Sequence, residues 1–149
     1  ELTGLISYQD SNRIGRIDAN TRKGIFGNLN DEFVREMASY SEYLQEMPIG
    51  TKQEIETGKA TILTGVDGSI QEYEIAIDKV NYNAGTESRE IELVVTDPKL
   101  LKKTGGIIQG MSGSPIIQDG RIVGAVTHVL INDPACGYGI YVEKMFNVY

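Results

Sequence analysis

Alternating hydrophobic and polar positions predict β-strands over most of the chain from residue 60 onward. Two pairs of such runs flank an Asp-Gly dipeptide, which is the strongest short signal for a β-hairpin. The strands of these two predicted hairpins are residues 60–66 with 70–80, and residues 115–118 with 121–130. Two further runs, at residues 91–96 and 138–142, bring the number of strands to about six, a number that suits a small closed antiparallel barrel.

The first third of the chain has a different pattern. Residues 2–8 and 14–18 are predicted as strands, and residues 24–27 as a turn into another strand. Residues 31–47 carry apolar side chains at helical spacing, which predicts a helix there: Phe33, Met37, Tyr40 and Leu44. The predicted fold is therefore mainly β, with one or two short helices.

Composition and charge narrow the possible partners. The chain has 149 residues, 40% of them apolar, which is enough for a real hydrophobic core. The net charge of −7, with no run of like charges longer than Lys102–Lys103, argues against a nucleic-acid surface. The uninterrupted apolar stretches are too short to span a membrane. Cys136 is the only cysteine and no Cys/His cluster is present, so we expect no internal disulfide, no metal site and no cofactor.

A glycine-rich loop at residues 105–115 carries the candidate chemistry. It reads GGIIQGMSGSP and surrounds Ser112 with glycines just before a predicted hairpin. A serine nucleophile needs an exposed hydroxyl, a base, and two backbone N–H donors for the oxyanion. Gly110 and Ser112 are placed to supply those donors. On these residues alone, the motif is a weak signal, and a simple glycine-rich turn is the favoured interpretation.

The wider segment resembles the nucleophile hairpin of chymotrypsin-like peptidases. Residues 110–115 read GMSGSP and are followed, after a polar turn, by IVGAVTH at residues 122–128. The resemblance implies a two-barrel fold in which Ser112 is the nucleophile and the amides of Gly110 and Ser112 form the oxyanion hole. It also implies that Thr127, His128 and Val129 form the strand that pairs with an extended substrate. Met111 stands where these enzymes usually have aspartate.

A narrower resemblance connects the chain with the stage IV sporulation protein B (SpoIVB) peptidase family. The similar segments are VTDP at 95–98, LL at 100–101, KTGGI at 103–107, QGMSGSP at 109–115, GAVTHV at 124–129, NDP at 132–134 and GYG at 137–139, with weaker similarity at residues 20–21 and 24–27. This resemblance implies a serine peptidase of spore-forming Gram-positive bacteria, preceded by a PDZ module. It further implies cleavage of itself and of a regulator of an intramembrane protease that activates a late sigma factor, in the space between forespore and mother cell.

The resemblance assigns the proposed triad aspartate to Asp97. The alternative is structural, because Asp97 precedes Pro98 and a short helical segment that ends near Gly105, which is the pattern of a helix N-cap. Residue chemistry alone would nominate His128, the only histidine, as general base. The resemblance instead places the catalytic histidine upstream of residue 1 and gives His128 a substrate-contact role.

These expectations define two regions and two alternatives. Residues 1–58 are predicted as a remnant of a first barrel with a connecting segment, and residues 59–149 as a complete second barrel that holds the serine half of an active site. Ser114 and Cys136 are weaker nucleophile candidates. The segments 133–134 and 137–139 are predicted as loops beside the substrate strand or, equally, as purely structural turns. The first alternative is a catalytically silent domain that binds peptides at an exposed strand edge. The second is a first barrel completed by another copy of the chain.

Overall fold

The computed structural model describes residues 5–8, 12–21, 24–40, 46–66, 68–83 and 89–146. The chain divides into two compact units, Glu1–Glu46 and Met47–Tyr149. Within the described residues no helix is both long and apolar enough to cross a membrane.

The first unit contains a three-stranded antiparallel sheet and a helix. Its elements are β1 (Leu5–Tyr8), β2 (Asn12–Thr21), β3 (Gly24–Leu29) and α1 (Asp31–Tyr40). The helix predicted at residues 31–47 is confirmed up to Tyr40. Residues 41–45 lie outside the described part, and residues 46 and 47 are not helical.

The turn predicted at residues 24–27 is wrong, because these residues belong to β3. Gly24 already pairs with Thr21, and Gly27 pairs with Ile17. A Cβ at Gly27 would collide with the carbonyl oxygen of Arg16. The glycine therefore marks a close approach of two strands at this position, rather than a turn.

The second unit is a closed antiparallel barrel of six strands. Its strands are β4 (Gly58–Thr64), β5 (Gln71–Val80), β6 (Ile91–Val95), β7 (Pro115–Gln118), β8 (Arg121–Leu130) and β9 (Asp133–Tyr141), in the order β4-β5-β6-β9-β8-β7. Two short helices, α2 (Pro98–Thr104) and α3 (Val142–Phe146), follow β6 and β9. The predicted barrel, both hairpins and the helix after Asp97 are confirmed.

The side chains that point into this barrel form its hydrophobic core, and they alternate along the strands with side chains that are less buried. Every second residue of β6 is buried, and β4 alternates in the same way from Ala60 onward. All six strands contribute buried apolar side chains: Ile62, Tyr73, Ile75, Ile77, Ile91, Leu93, Val95, Ile116, Val123, Val126 and Tyr141. Leu100 of α2 is also fully buried, so this helix packs on the same core.

The loops predicted at residues 133–134 and 137–139 are wrong, since both segments lie in β9. Tyr138 pairs with His128 of β8 and with Glu92 of β6. Cβ atoms at Gly137 and Gly139 would meet the side chains of Ile107 and Ile116 at 2.5 and 2.6 Å. These glycines therefore make room for neighbouring core side chains inside a strand.

The segment before β4 packs against the barrel. Ile49 forms a parallel bridge with Ile122 of β8, and the backbone of Ile122 exchanges hydrogen bonds of 2.9 Å with Pro48 and Gly50. The buried side chain of Gln118 accepts from the N–H of Glu56 and donates to its carbonyl. The connecting segment is thus bonded to both strands of the β7–β8 hairpin.

An ion pair connects Glu90, the residue before β6, to α3. Glu90 is 1% exposed and accepts a hydrogen bond from Lys144 Nζ. Within the described residues, Glu90 Oε2 and the Tyr141 hydroxyl have no hydrogen-bond partner. Burial, together with the neighbouring Tyr82, Glu90 and Glu143, raises the pKa of Tyr141 to about 12. Lys144 therefore supplies the positive charge that compensates a buried carboxylate.

We expect Lys144→Met to lower the free energy of unfolding by about 3 kcal/mol, because it leaves the Glu90 carboxylate buried and uncompensated. The matched control is Lys79→Met, which removes the lysine of an exposed pair with Glu92 at 3.4 Å and is expected to cost less than about 1 kcal/mol. Urea unfolding of both variants at pH 7 measures the difference. Equal losses in the two variants would contradict the role assigned to the Glu90–Lys144 pair.

Candidate active site

The loop between α2 and β7 begins with two glycines that set its direction. Gly105 ends α2 in the left-handed region at φ 75°, and its N–H donates to the carbonyl of Leu101 at 2.9 Å. Gly106 follows at φ 137°, and a Cβ there would collide with the carbonyl oxygen of Pro134. The next residue, Ile107, donates its N–H to that same oxygen at 2.7 Å. The loop is therefore fixed against the start of β9.

Backbone hydrogen bonds then hold the loop along β8. The N–H of Gly113 donates to the carbonyl of Val126 at 2.8 Å, and the N–H of Val126 donates to the carbonyl of Ser114 at 2.9 Å. Between these bonds, the exposed hydroxyl of Ser112 donates to the carbonyl of Thr127 at 3.1 Å. The structure thus brings Ser112 and Thr127, both predicted as site residues, into direct contact.

Two backbone donors beside this hydroxyl are unused. Within the described residues, the N–H groups of Gly110 and Ser112 donate to no acceptor, whereas those of Met111, Gly113 and Ser114 all do. The turn that produces this arrangement needs glycine at two positions, since Gly110 has φ 99° and Gly113 has φ 91°. Free N–H groups next to a serine hydroxyl are the donors that a tetrahedral oxyanion requires.

Thr127, His128 and Val129 lie in the second half of β8, where His128 and Val129 pair with a described strand on one side only. On that side His128 pairs with Tyr138 and Val129 with Gly137, both of β9. On the other side, β7 begins at Pro115, which pairs with Ala125. Among the described strands, none pairs with β8 beyond this point on the β7 side. At His128 and Val129 this strand therefore has an open edge, and Thr127, just before them, contacts Ser112.

His128 is exposed on this edge. The described hydrogen bond of the Ser112 hydroxyl goes to the Thr127 carbonyl and not to the imidazole. Within the described residues the structure therefore shows no histidine in hydrogen-bond contact with Ser112.

Asp97 acts as the N-cap of α2. Its Oδ1 accepts from the N–H groups of Lys99 at 2.8 Å and Leu100 at 3.1 Å, and its Oδ2 accepts from the N–H of Glu74 at 3.3 Å. Burial disfavours the charged carboxylate, but these three donors and the charge of Lys99 outweigh it and lower the pKa of Asp97. The predicted N-cap is confirmed, and the catalytic role of Asp97 stays a prediction.

The two weaker nucleophile candidates have ordinary structural contacts. Ser114 is half-buried, and its backbone bonds to Met111 and Val126. The thiol of Cys136 donates to Asp133 Oδ2 at 3.2 Å, and burial followed by the effect of Asp133 raises its pKa. A raised pKa keeps the thiol protonated and unreactive. Among the described residues, no group of His, Cys, Asp and Glu is arranged to hold a metal ion.

The fold is that of chymotrypsin-like proteases, and solved structures share it. The HtrA-type protease AlgW with decapeptide superposes with a TM-score of 0.60 and 14% identity, over 97% of this chain and 42% of that one. The Rv3671c protease from M. tuberculosis superposes in its active form with a TM-score of 0.54 and 13% identity, over 93% of this chain and 59% of that one. Its inactive form gives a TM-score of 0.51 and 14% identity, over 93% of this chain and 67% of that one. The chain therefore spans less than half the length of AlgW.

The family assignment comes from the sequence itself. The SpoIVB peptidase S55 family matches residues 1–146, so this chain belongs to that family. A search of curated protein sequences finds no match. Both the family and the fold class inferred from the motifs are confirmed.

We expect Asp97→Ala to lower the free energy of unfolding by about 1 kcal/mol at pH 7, because α2 loses its N-cap. Asp97→Asn keeps an acceptor of similar capping strength and is the matched control. The folded-state pKa of Asp97 is lowered, so the stability from its charge is present above the unfolded value of about 3.9. It is lost as the pH falls through the folded value.

Urea unfolding at several pH values tests the role of Asp97. The gap between wild type and Asp97→Ala should be full at neutral pH and should shrink as the pH falls below about 4. A gap that grows on acidification would show that the carboxylate does not cap the helix as an anion.

Proposed function

We propose that this protein is a serine peptidase in which Ser112 is the nucleophile. The observation that carries the proposal is the position of the exposed Ser112 hydroxyl beside two unused N–H groups, those of Gly110 and Ser112. Membership in the SpoIVB peptidase family supports it. Ser114 and Cys136 lack this combination of exposure and adjacent free donors.

The proposed reaction is acyl transfer. Ser112 Oγ attacks the carbonyl carbon of the scissile peptide bond, and its proton passes to a general base. The resulting oxyanion is stabilised by the N–H groups of Gly110 and Ser112. The base then protonates the leaving amine, and a water molecule hydrolyses the acyl-enzyme. Each cycle consumes one peptide bond and one water and regenerates the Ser112 hydroxyl.

The general base is proposed to come from upstream of residue 1, as the family resemblance implies. The hydroxyl of Ser112 points its proton at the carbonyl of Thr127, which is no base at neutral pH. Activation therefore requires the hydroxyl to turn from this carbonyl to an imidazole. A catalytic role for Asp97 would require it to orient that imidazole while it also caps α2.

The substrate is proposed to be an extended polypeptide that lies along Thr127, His128 and Val129 and pairs with the open edge at His128 and Val129. A strand added to such an edge gains main-chain hydrogen bonds, and this mode suits substrates of varied sequence. The open edge directly follows Thr127, whose carbonyl contacts Ser112, so a paired peptide would pass next to the nucleophile.

The biological role is proposed from family membership. The family resemblance implies that the protein is secreted from the forespore and acts in the space between forespore and mother cell. It also implies a PDZ module upstream of the peptidase. In that role the protein would cleave itself and a regulator of an intramembrane protease, and so activate a late sigma factor.

A catalytically silent peptide-binding domain is the second candidate. It is favoured by one observation, namely that the described contact of the Ser112 hydroxyl is to a carbonyl and not to a base. Such a domain would use the same open edge of β8 without turnover.

Labelling with a fluorophosphonate separates these two candidates, because this probe reacts efficiently only with an activated serine. We expect strong labelling at Ser112 in a longer chain that carries the upstream histidine segment, and weak labelling in the 149-residue chain. Ser112→Ala should abolish the labelling, and the neighbouring Ser114→Ala should retain it. Peptide mass mapping identifies the modified residue.

Two outcomes would change the assignment. Strong labelling of the 149-residue chain would place the base inside it, and loss of that labelling in His128→Ala would identify His128 as the base. Absence of labelling in both chains, with peptide binding retained in Ser112→Ala, would contradict the peptidase and favour the silent domain.

A further inference from the structure

The loop between α2 and β7, residues 105–114, is called the nucleophile loop here. Within it, Met111 has an environment unlike that of its two neighbours. Its side chain is 3% exposed and belongs to the hydrophobic core of the barrel. Gly110 and Ser112, on either side of it, are exposed. The loop is therefore anchored in the core at the residue between its two unused N–H donors.

Three hydrogen bonds connect Met111 to the rest of the loop. Its N–H donates to the carbonyl of Ile108 at 3.1 Å, and its carbonyl accepts from the N–H of Ser114 at 3.0 Å. In addition, its Sδ accepts from the N–H of Ile108 at 3.4 Å. Ile108 and Met111 are thus bonded in both directions, once through backbone atoms and once through sulfur.

This reciprocal pair determines which donors of the loop remain available. It uses the N–H groups of Ile108 and Met111 and closes the chain tightly around Gly110, which takes φ 99°. The bond from Ser114 fixes the carbonyl of Met111, which shares its peptide group with the N–H of Ser112. The N–H groups of Gly110 and Ser112 are left without acceptors among the described residues.

We infer that Met111 is a positioning residue for the oxyanion hole, and that its sulfur holds the Ile108–Met111 turn in the geometry that presents the two donors. This inference rests on the proposed peptidase function. Sulfur is a weak acceptor, but the carbon chain of leucine offers no acceptor at all. Replacing the sulfur would release the N–H of Ile108 and loosen the turn, while the apolar packing stays similar.

The test measures phosphonylation by a fluorophosphonate in the longer chain that carries the upstream histidine segment. The phosphoryl oxygen of this probe develops charge where an oxyanion would form. We expect Met111→Leu to lower the maximal rate of phosphonylation about tenfold, with the apparent affinity for the probe unchanged within about twofold. Met145→Leu, the same exchange in α3, is the matched control and should leave both constants unchanged.

A second set of variants separates the effect of the sulfur from the effect of side-chain shape, because leucine is branched and methionine is not. In a Met37→Leu, Met47→Leu, Met145→Leu background, residue 111 is prepared as methionine, selenomethionine or norleucine. These three have nearly the same shape, and norleucine has a methylene in place of the acceptor. The rate should fall only with norleucine. Equal rates for all three, or a rate loss that follows the melting temperature, would overturn the inference.

Amide hydrogen exchange tests the role of Met111 independently of the peptidase proposal, because it needs no enzymatic activity. In the 149-residue chain, Met111→Leu should speed exchange at the N–H of Ile108 and shift the NMR signals of the Gly110 and Ser112 amides. If these changes occur while the wild type reacts with no probe, the peptidase proposal fails and the positioning of the donors stands. If the amides are unchanged in Met111→Leu, the role of the sulfur is wrong, whatever the wild type does.

Discussion

The hydrogen bonds between the Ser112 loop and β8 are the interaction on which the site depends. Gly113 and Ser114 bond to both backbone groups of Val126, and this places the Ser112 hydroxyl at the carbonyl of Thr127. The same bonds occupy the β7 side of the strand only as far as that point. At His128 and Val129, beyond these bonds, the edge of β8 on the β7 side is open. The bonds to Val126 therefore hold the nucleophile in place and mark where a substrate strand would begin.

Closing the barrel around this loop requires unusually close backbone approaches. A Cβ at Gly106 would meet the carbonyl of Pro134, and one at Gly124 would meet the carbonyl of Ile140. Gly137 leaves space for Ile107, which lies in the nucleophile loop itself. The loop is therefore wedged between β9 and the core, and a rigid scaffold of this kind is what a preorganised oxyanion hole needs.

Strand β8 joins the connecting segment to the candidate site. Ile122, near its beginning, bonds to Pro48 and Gly50, and Thr127, toward its end, contacts Ser112. Gln118 adds a second link from the β7–β8 hairpin to the connecting segment at Glu56. The connecting segment and the nucleophile are thus hydrogen-bonded to the same strand, five residues apart along β8.

The sequence alone determined the strands, the two hairpins, the capped helix after Asp97 and the serine motif, because each depends on local periodicity or turn chemistry. Only the tertiary structure decided that Gly27, Gly137 and Gly139 lie in strands, since each leaves room for atoms of a neighbouring segment. It also decided which N–H groups stay free beside Ser112, and that the sulfur of Met111 holds the turn between them. The glycine contacts in β9 arise where segments far apart in sequence meet, and the free N–H groups depend on the path of the loop after it bonds to β8. No local pattern encodes which contacts these residues make.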